Sequence, residues 1–120
     1  MRLLLDTNAY AAFVNGQPDV VRRVREAKQL VLSAIVMGEL LFGFRNGNRF
    51  DKNVEELESF LSHARVAFLP VTKTTADRFG RIATLLKRKG TPIPSNDIWI
   101  AAHVMEAGAE LVTLGGESGG

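Results

Sequence analysis

Four short apolar runs punctuate the chain: Arg2-Leu3-Leu4-Leu5, Leu30-Val31-Leu32, Val66 to Val71 and Glu110 to Thr113. Segments with helical spacing fill the intervals between them. Strands that alternate with helices pair in parallel, because each crossover brings the chain back to the same end of the sheet. The pattern therefore predicts a single α/β domain around a parallel sheet of about four strands. No repeat or linker divides the chain.

The helices can be placed by their punctuation. Thr7 or Asn8 is positioned to cap a short helix through Phe13, stopped by Asn15-Gly16. Pro18 suits the first turn of a second helix, with Val20, Val21 and Val24 as its apolar stripe. Ser33 caps a third helix through about Phe44, and Val54, Leu57, Phe60 and Leu61 mark a fourth. The polar turn at Gly47 is short, so these two form a hairpin. The spacing predicts a helix over Thr72 to Lys89, with Ala76, Phe79, Ile82, Ala83 and Leu86 inward and Gly90 as its stop. Thr91-Pro92-Ile93-Pro94 is an extended loop, after which Ser95 or Asn96 caps a helix to about Ala107, ended by Gly108.

Three acids stand where apolar or neutral residues are expected. Asp6 closes the first strand, Glu39 interrupts the apolar run of the third helix, and Asp97 opens Ile98-Trp99-Ile100-Ala101-Ala102. A carboxylate among apolar neighbours is costly to desolvate unless its charge is compensated. Neither Glu39 nor Asp97 has a Lys or Arg within four positions. In parallel sheets ligands bind at the carboxyl ends of strands, beside helix N-termini, where all three acids can project. A shared hard divalent cation, Mg²⁺ or Mn²⁺, is the expected partner of such a buried cluster. Taken singly, Asp6 also reads as a turn or cap residue, and Asp97 as an acid favoured by the helix dipole. Glu39 has no such structural role.

The remaining chemistry is sparse. The absence of Cys excludes disulfides, thiolate zinc sites and cysteine catalysis, and fits a cytoplasmic protein. The longest uncharged apolar run, Leu30 to Gly38, is too short to span a bilayer, and no secretory leader is visible. His63 and His103 are read as surface positions, Ser33 and Ser95 as caps rather than nucleophiles, and Trp99 as core. The net charge is +2, with basic clusters at Arg22, Arg23, Arg25 and Lys28, at Arg45 and Arg49, and at Lys87-Arg88-Lys89. A basic surround suits a phosphate backbone, although each cluster also reads as a solvated helix face.

The segments LLLDTNAY, SAIVMGELLFGF and KGTPIPSNDIWIAAH resemble the PIN-domain ribonucleases, most of all the VapC toxins of bacterial and archaeal toxin–antitoxin pairs. The resemblance covers residues 1–113 and leaves 114–120 as a flexible Gly-rich tail. It implies a three-layer α/β/α fold and Mg²⁺-dependent cleavage of RNA, with Mn²⁺ as a substitute. It also implies a homodimer and inhibition by a cognate VapB-type antitoxin. Carried over by position, Asp6, Glu39 and Asp97 are the metal-binding and catalytic acids. Thr7 and Asn8 support Asp6, while Ser95 and Asn96 orient the site around Asp97. An antitoxin is expected to lay a basic side chain among the acids and to cover Phe42, Phe44, Phe50 and Leu57.

One departure stands out. The family has a fourth acid where this chain has Gly115, followed by a strand and helix that are missing here. Glu117 is a poor substitute on a flexible tail. If two metals are required, cleavage is impaired, which gives the alternative of a module that binds antitoxin or RNA without cutting. A haloacid-dehalogenase-like phosphotransferase also starts from an Asp after a strand, but it needs a second Asp where this chain has Asn8.

Overall fold

The structure, a computed structural model, describes residues 1–114. The expectations for Gly115 and Glu117, and for all of the tail but Leu114, lie outside those residues; Leu114 itself is partly buried against the core. The elements run β1 (Arg2–Leu5), α1 (Thr7–Val14), α2 (Pro18–Glu26), β2 (Gln29–Ser33), α3 (Ala34–Arg45), α4 (Phe50–Leu61), β3 (Val66–Leu69), α5 (Lys73–Lys89), α6 (Ser95–Ala107) and β4 (Glu110–Val112). The four strands form one parallel sheet in the order β3-β2-β1-β4. Leu4 of β1 lies between Val31 of β2 and Leu111 of β4.

The chain moves outward from β1 to β3 and then crosses back to β4. With right-handed crossovers, that reversal places α1 to α4 on one face and α5 and α6 on the other. It also creates a switch point between β1 and β4, outside which open α/β sheets bind their ligands. Asp6 stands there.

Leu3, Leu4, Leu5, Leu32, Val36 and Leu57 are fully buried and form the centre of the core. Leu57 was expected on an exposed apolar surface. Its place on the α4 stripe with Phe60 and Leu61 takes it into the core instead. The expected stripe of α5 faces α6 but is only half covered, and Ala76 is exposed; Thr75 is the one buried residue of that helix. Trp99 is half-buried, stacked on Phe79 with ring centroids 4.1 Å apart. Among the described residues, no helix is long and apolar enough to cross a membrane.

Candidate active site

Asp6 follows β1 and starts α1. Its amide donates to the Val112 carbonyl at 3.1 Å, and its Oδ1 accepts from the Ala9 amide at 2.8 Å. Asp6 is therefore the N-cap, in place of Thr7 or Asn8, because its extended backbone carries the last strand conformation before the helix. The cap uses Oδ1 and leaves Oδ2 directed by the same turn. Asn8 is exposed.

Glu39 occupies the second turn of α3. Val36 and Leu40 turn into the core, which leaves Glu39 on the flank of the helix, half-buried. Its Oε1 accepts from the Thr7 hydroxyl, and its Oε2 accepts from Asn96 Nδ2 at 3.1 Å. Thr7 and Asn96 thus serve Glu39, whereas the sequence had assigned them to Asp6 and Asp97. The carboxylate ties the first turns of α1 and α6 to α3 and fixes its own direction.

Asp97 is the third residue of α6 and is exposed, as are Ser95 and Asn96. Pro94 occupies the N-cap and makes no side-chain cap, so neither Ser95 nor Asn96 serves there. The acids accordingly differ from the expected buried cluster: two are half-buried and one is exposed. Asp6 and Glu39 accept hydrogen bonds and Asp97 stands on the surface.

Their setting is still distinctive. Asp6 adjoins Thr7 and Asp97 adjoins Asn96, so both acids flank the residues that bind Glu39. Among the described residues, no ion pair involves any of the three. Nor are any three acid or imidazole side chains gathered closely enough to enclose a cation. In donor chemistry the set fits a hard divalent ion, since it offers carboxylate, hydroxyl and amide oxygens with no sulfur. Some of the basic surround is already neutralised: Arg22 pairs with Asp19 and Glu26, and Arg23 with Glu110 at 2.6 Å.

A groove of about 340 Å³ opens beside Glu39, lined by Ala34, Ile35, Gly38, Glu39, Phe42 and Asn96. A wider one of about 730 Å³ runs along the outer side of α5 but contains none of the three acids.

His103 was read as a surface residue and is fully buried. Its Nε2 lies 3.0 Å from the Pro70 carbonyl and its Nδ1 2.8 Å from the Ser33 hydroxyl. A carbonyl only accepts, so Nε2 donates. Ser33 accepts the Ile35 amide at 3.0 Å and can give its own proton to Nδ1. This chain of bonds locks α6 onto the start of α3. The signal was present in the sequence: His103 falls on the same helical stripe as Asn96 and buried Ile100.

The sequence pattern of the PIN domain matches residues 3–117. The chain belongs to the PIN-domain family. This PIN domain is 31% identical over 117 residues to Ribonuclease VapC1 of Haemophilus influenzae strain R2866, a match spanning 94% of this chain and 86% of that protein. It superposes on the structure of VapBC-1 from nontypeable Haemophilus influenzae with a TM-score of 0.82 at 29% identity, over 98% of this chain and 89% of that one. The structure of VapBC2 from Rickettsia felis, bound to a DNA fragment from its promoter, gives a TM-score of 0.81 at 29% identity, covering 94% and 87%. The four-stranded parallel sheet is thus the PIN fold expected from the sequence.

Proposed function

We propose that this PIN domain is a toxin-type endoribonuclease that hydrolyses RNA phosphodiester bonds with Mg²⁺, Mn²⁺ serving as a substitute, and that a VapB-type antitoxin restrains it. The observation that carries the reading is the double hydrogen bond to Glu39, which joins the acid-bearing ends of α1 and α6 at the switch point. A relative named as a ribonuclease and structural neighbours titled as VapBC complexes support it.

Asp6 and Asp97 would hold the metal, together with Glu39. The bound cation supplies positive charge to offset what develops on the phosphate. Glu39, held by Thr7 and Asn96, orients the attacking water and can accept its proton on a carboxylate oxygen. Asp6 keeps its direction because the cap and the β4 hydrogen bond fix its backbone.

Purified chain should cut RNA in Mg²⁺ and stop when EDTA is added. Asp6→Asn, Glu39→Gln and Asp97→Asn should each lower the rate by roughly a hundredfold or more, since each removes a first contact to the ion. Undiminished cleavage by any one of them at the same Mg²⁺ concentration refutes its assignment. Co-expression with a neighbouring small gene should yield a stable complex that no longer cleaves.

A second reading, a PIN module that binds without cutting, is favoured by the separation of the acids among the described residues. It predicts binding of RNA or antitoxin with no cleavage in Mg²⁺ or Mn²⁺.

A further inference from the structure

α3 presents a second feature beside its acid. Ala34, Gly38, Phe42 and Arg45 recur at three- and four-residue spacing, so they share one outward stripe, with Glu39 on its flank. Phe42 is 70% exposed, whereas Val36 and Leu40 of the same helix are buried. The fold makes no use of this ring. It forms one wall of the 340 Å³ groove, and Gly38 keeps the floor open, since a Cβ there would meet nothing within 4 Å. Glu39 and Asn96 stand at the groove's polar side. About one turn beyond the ring, exposed Arg45 lies with its guanidinium 4.5 Å from the Phe50 centroid, so its cation is held in place.

We propose that this groove is a nucleobase subsite in which an unpaired RNA base stacks on Phe42. The proposal rests on the ribonuclease reading above. The order along α3 is carboxylate, aromatic face, cation. It matches a strand whose reacting phosphate lies by Glu39, whose base covers the ring, and whose next phosphate reaches Arg45. The Asn96 Oδ1, which Glu39 does not use, can accept from the base edge. An apolar side chain of a protein partner would cover Phe42 but leave Arg45 and that amide oxygen without a role. Phe42 lies three residues from Glu39, so the stacked base would determine which phosphodiester is presented for cleavage.

The test uses short unstructured RNAs carrying a fluorescent purine analogue at successive positions, titrated with the full chain in Ca²⁺ in place of Mg²⁺. Wild type should quench the analogue at one position. Phe42→Ala should weaken binding by roughly 5- to 150-fold, the range of a lost base–aromatic stack, and abolish the quenching. Gly38→Leu, whose Cβ enters open space at the floor, should do the same, while Phe42→Trp retains both. Phe42→Leu keeps apolar bulk without the π face and should behave like Phe42→Ala. The subsite is overturned if wild type shows no saturable quenching, or if Phe42→Ala or Phe42→Leu matches wild type. If Phe42→Ala loses an antitoxin complex while keeping RNA binding, the groove belongs to the protein partner. A chain that neither binds nor cleaves RNA removes the ribonuclease reading as well. One that cleaves RNA and binds it unchanged after Phe42→Ala loses only the subsite.

Discussion

The two oxygens of Asp6 divide between the cap, where Oδ1 holds the first turn of α1 through the Ala9 amide, and the proposed metal contact, which falls to Oδ2. The two roles separate by substitution. Asp6→Asn keeps an oxygen for the cap, so its denaturation midpoint should stay close to wild type while cleavage is lost. Asp6→Ala removes the cap as well and should cost about 1 kcal/mol in urea denaturation. Equal stability of the two variants would show that the cap contributes nothing. A second residue-scale expectation concerns Tyr10, the only tyrosine in the chain and almost fully buried, its ring edge-on to Phe60 at 5.4 Å. Burial, and then the charge of Glu56, push its phenol up to about 12 from the usual 10.0. The folded state keeps this proton at pH values where the unfolded chain has released it. Its contribution is therefore complete below pH 10 and is lost as the pH rises towards about 12, by up to roughly 2–3 kcal/mol. With a single tyrosine, phenolate absorbance reports the group directly. A midpoint near 10 in the native protein would contradict the burial argument.

Among the elements, α6 is the one whose position decides the site, because it carries both Asn96 and Asp97. Its anchor is His103, between Ser33 and the Pro70 carbonyl. His103→Phe fills similar space but leaves the Ser33 hydroxyl proton without an acceptor and the Pro70 carbonyl without this donor, a cost of roughly 1–3 kcal/mol. It should also lower cleavage, because α6 loses its bond to the cap of α3 and only Glu39 and Asn96 then join the two helices by a hydrogen bond. A variant with wild-type stability and wild-type activity would dismiss the anchor. Strands and helices were legible in the sequence because their signals are local: Ser33 at a cap, Gly90 and Gly108 in the left-handed conformation at helix ends, Pro18 at a helix start. The roles of Thr7, Asn96 and His103 were not legible, because each is set by a residue far along the chain. Polarity alone suggested solvent for His103, and only its stripe pointed inward. The same limit applied to the acids. Their apolar sequence neighbours suggested burial, yet those neighbours face the sheet while the carboxylates stand on helix flanks and ends. Phe42 and Leu57 show the converse, since both are apolar and only tertiary packing separates an exposed ring from a core side chain.

At the scale of the whole molecule, the structure divides into a well-packed centre and a peripheral layer. β1 and β2 are flanked by neighbours on both sides, whereas α5 buries Thr75 alone and rests chiefly on α6. Hydrogen exchange should find α5 amides opening well before those of β1 and β2, which exchange only with global unfolding. Protection of α5 as strong as that of the strands would contradict this. The Thr75 hydroxyl bond to Glu106, at 2.6 Å, is the local tie whose removal should accelerate α5 further. The strand order has one more implication, for the protein as it is made. Asp6 leaves the ribosome long before β4, yet its amide is bonded to Val112 and Glu39 waits for Asn96. The chain through Val112 must emerge before Asp6 is seated. A nascent polypeptide with β4 still inside the exit tunnel therefore carries Asp6, Glu39 and Asp97 without their arrangement, and the ribosome that builds it meets these acids only as separate groups until β4 has emerged.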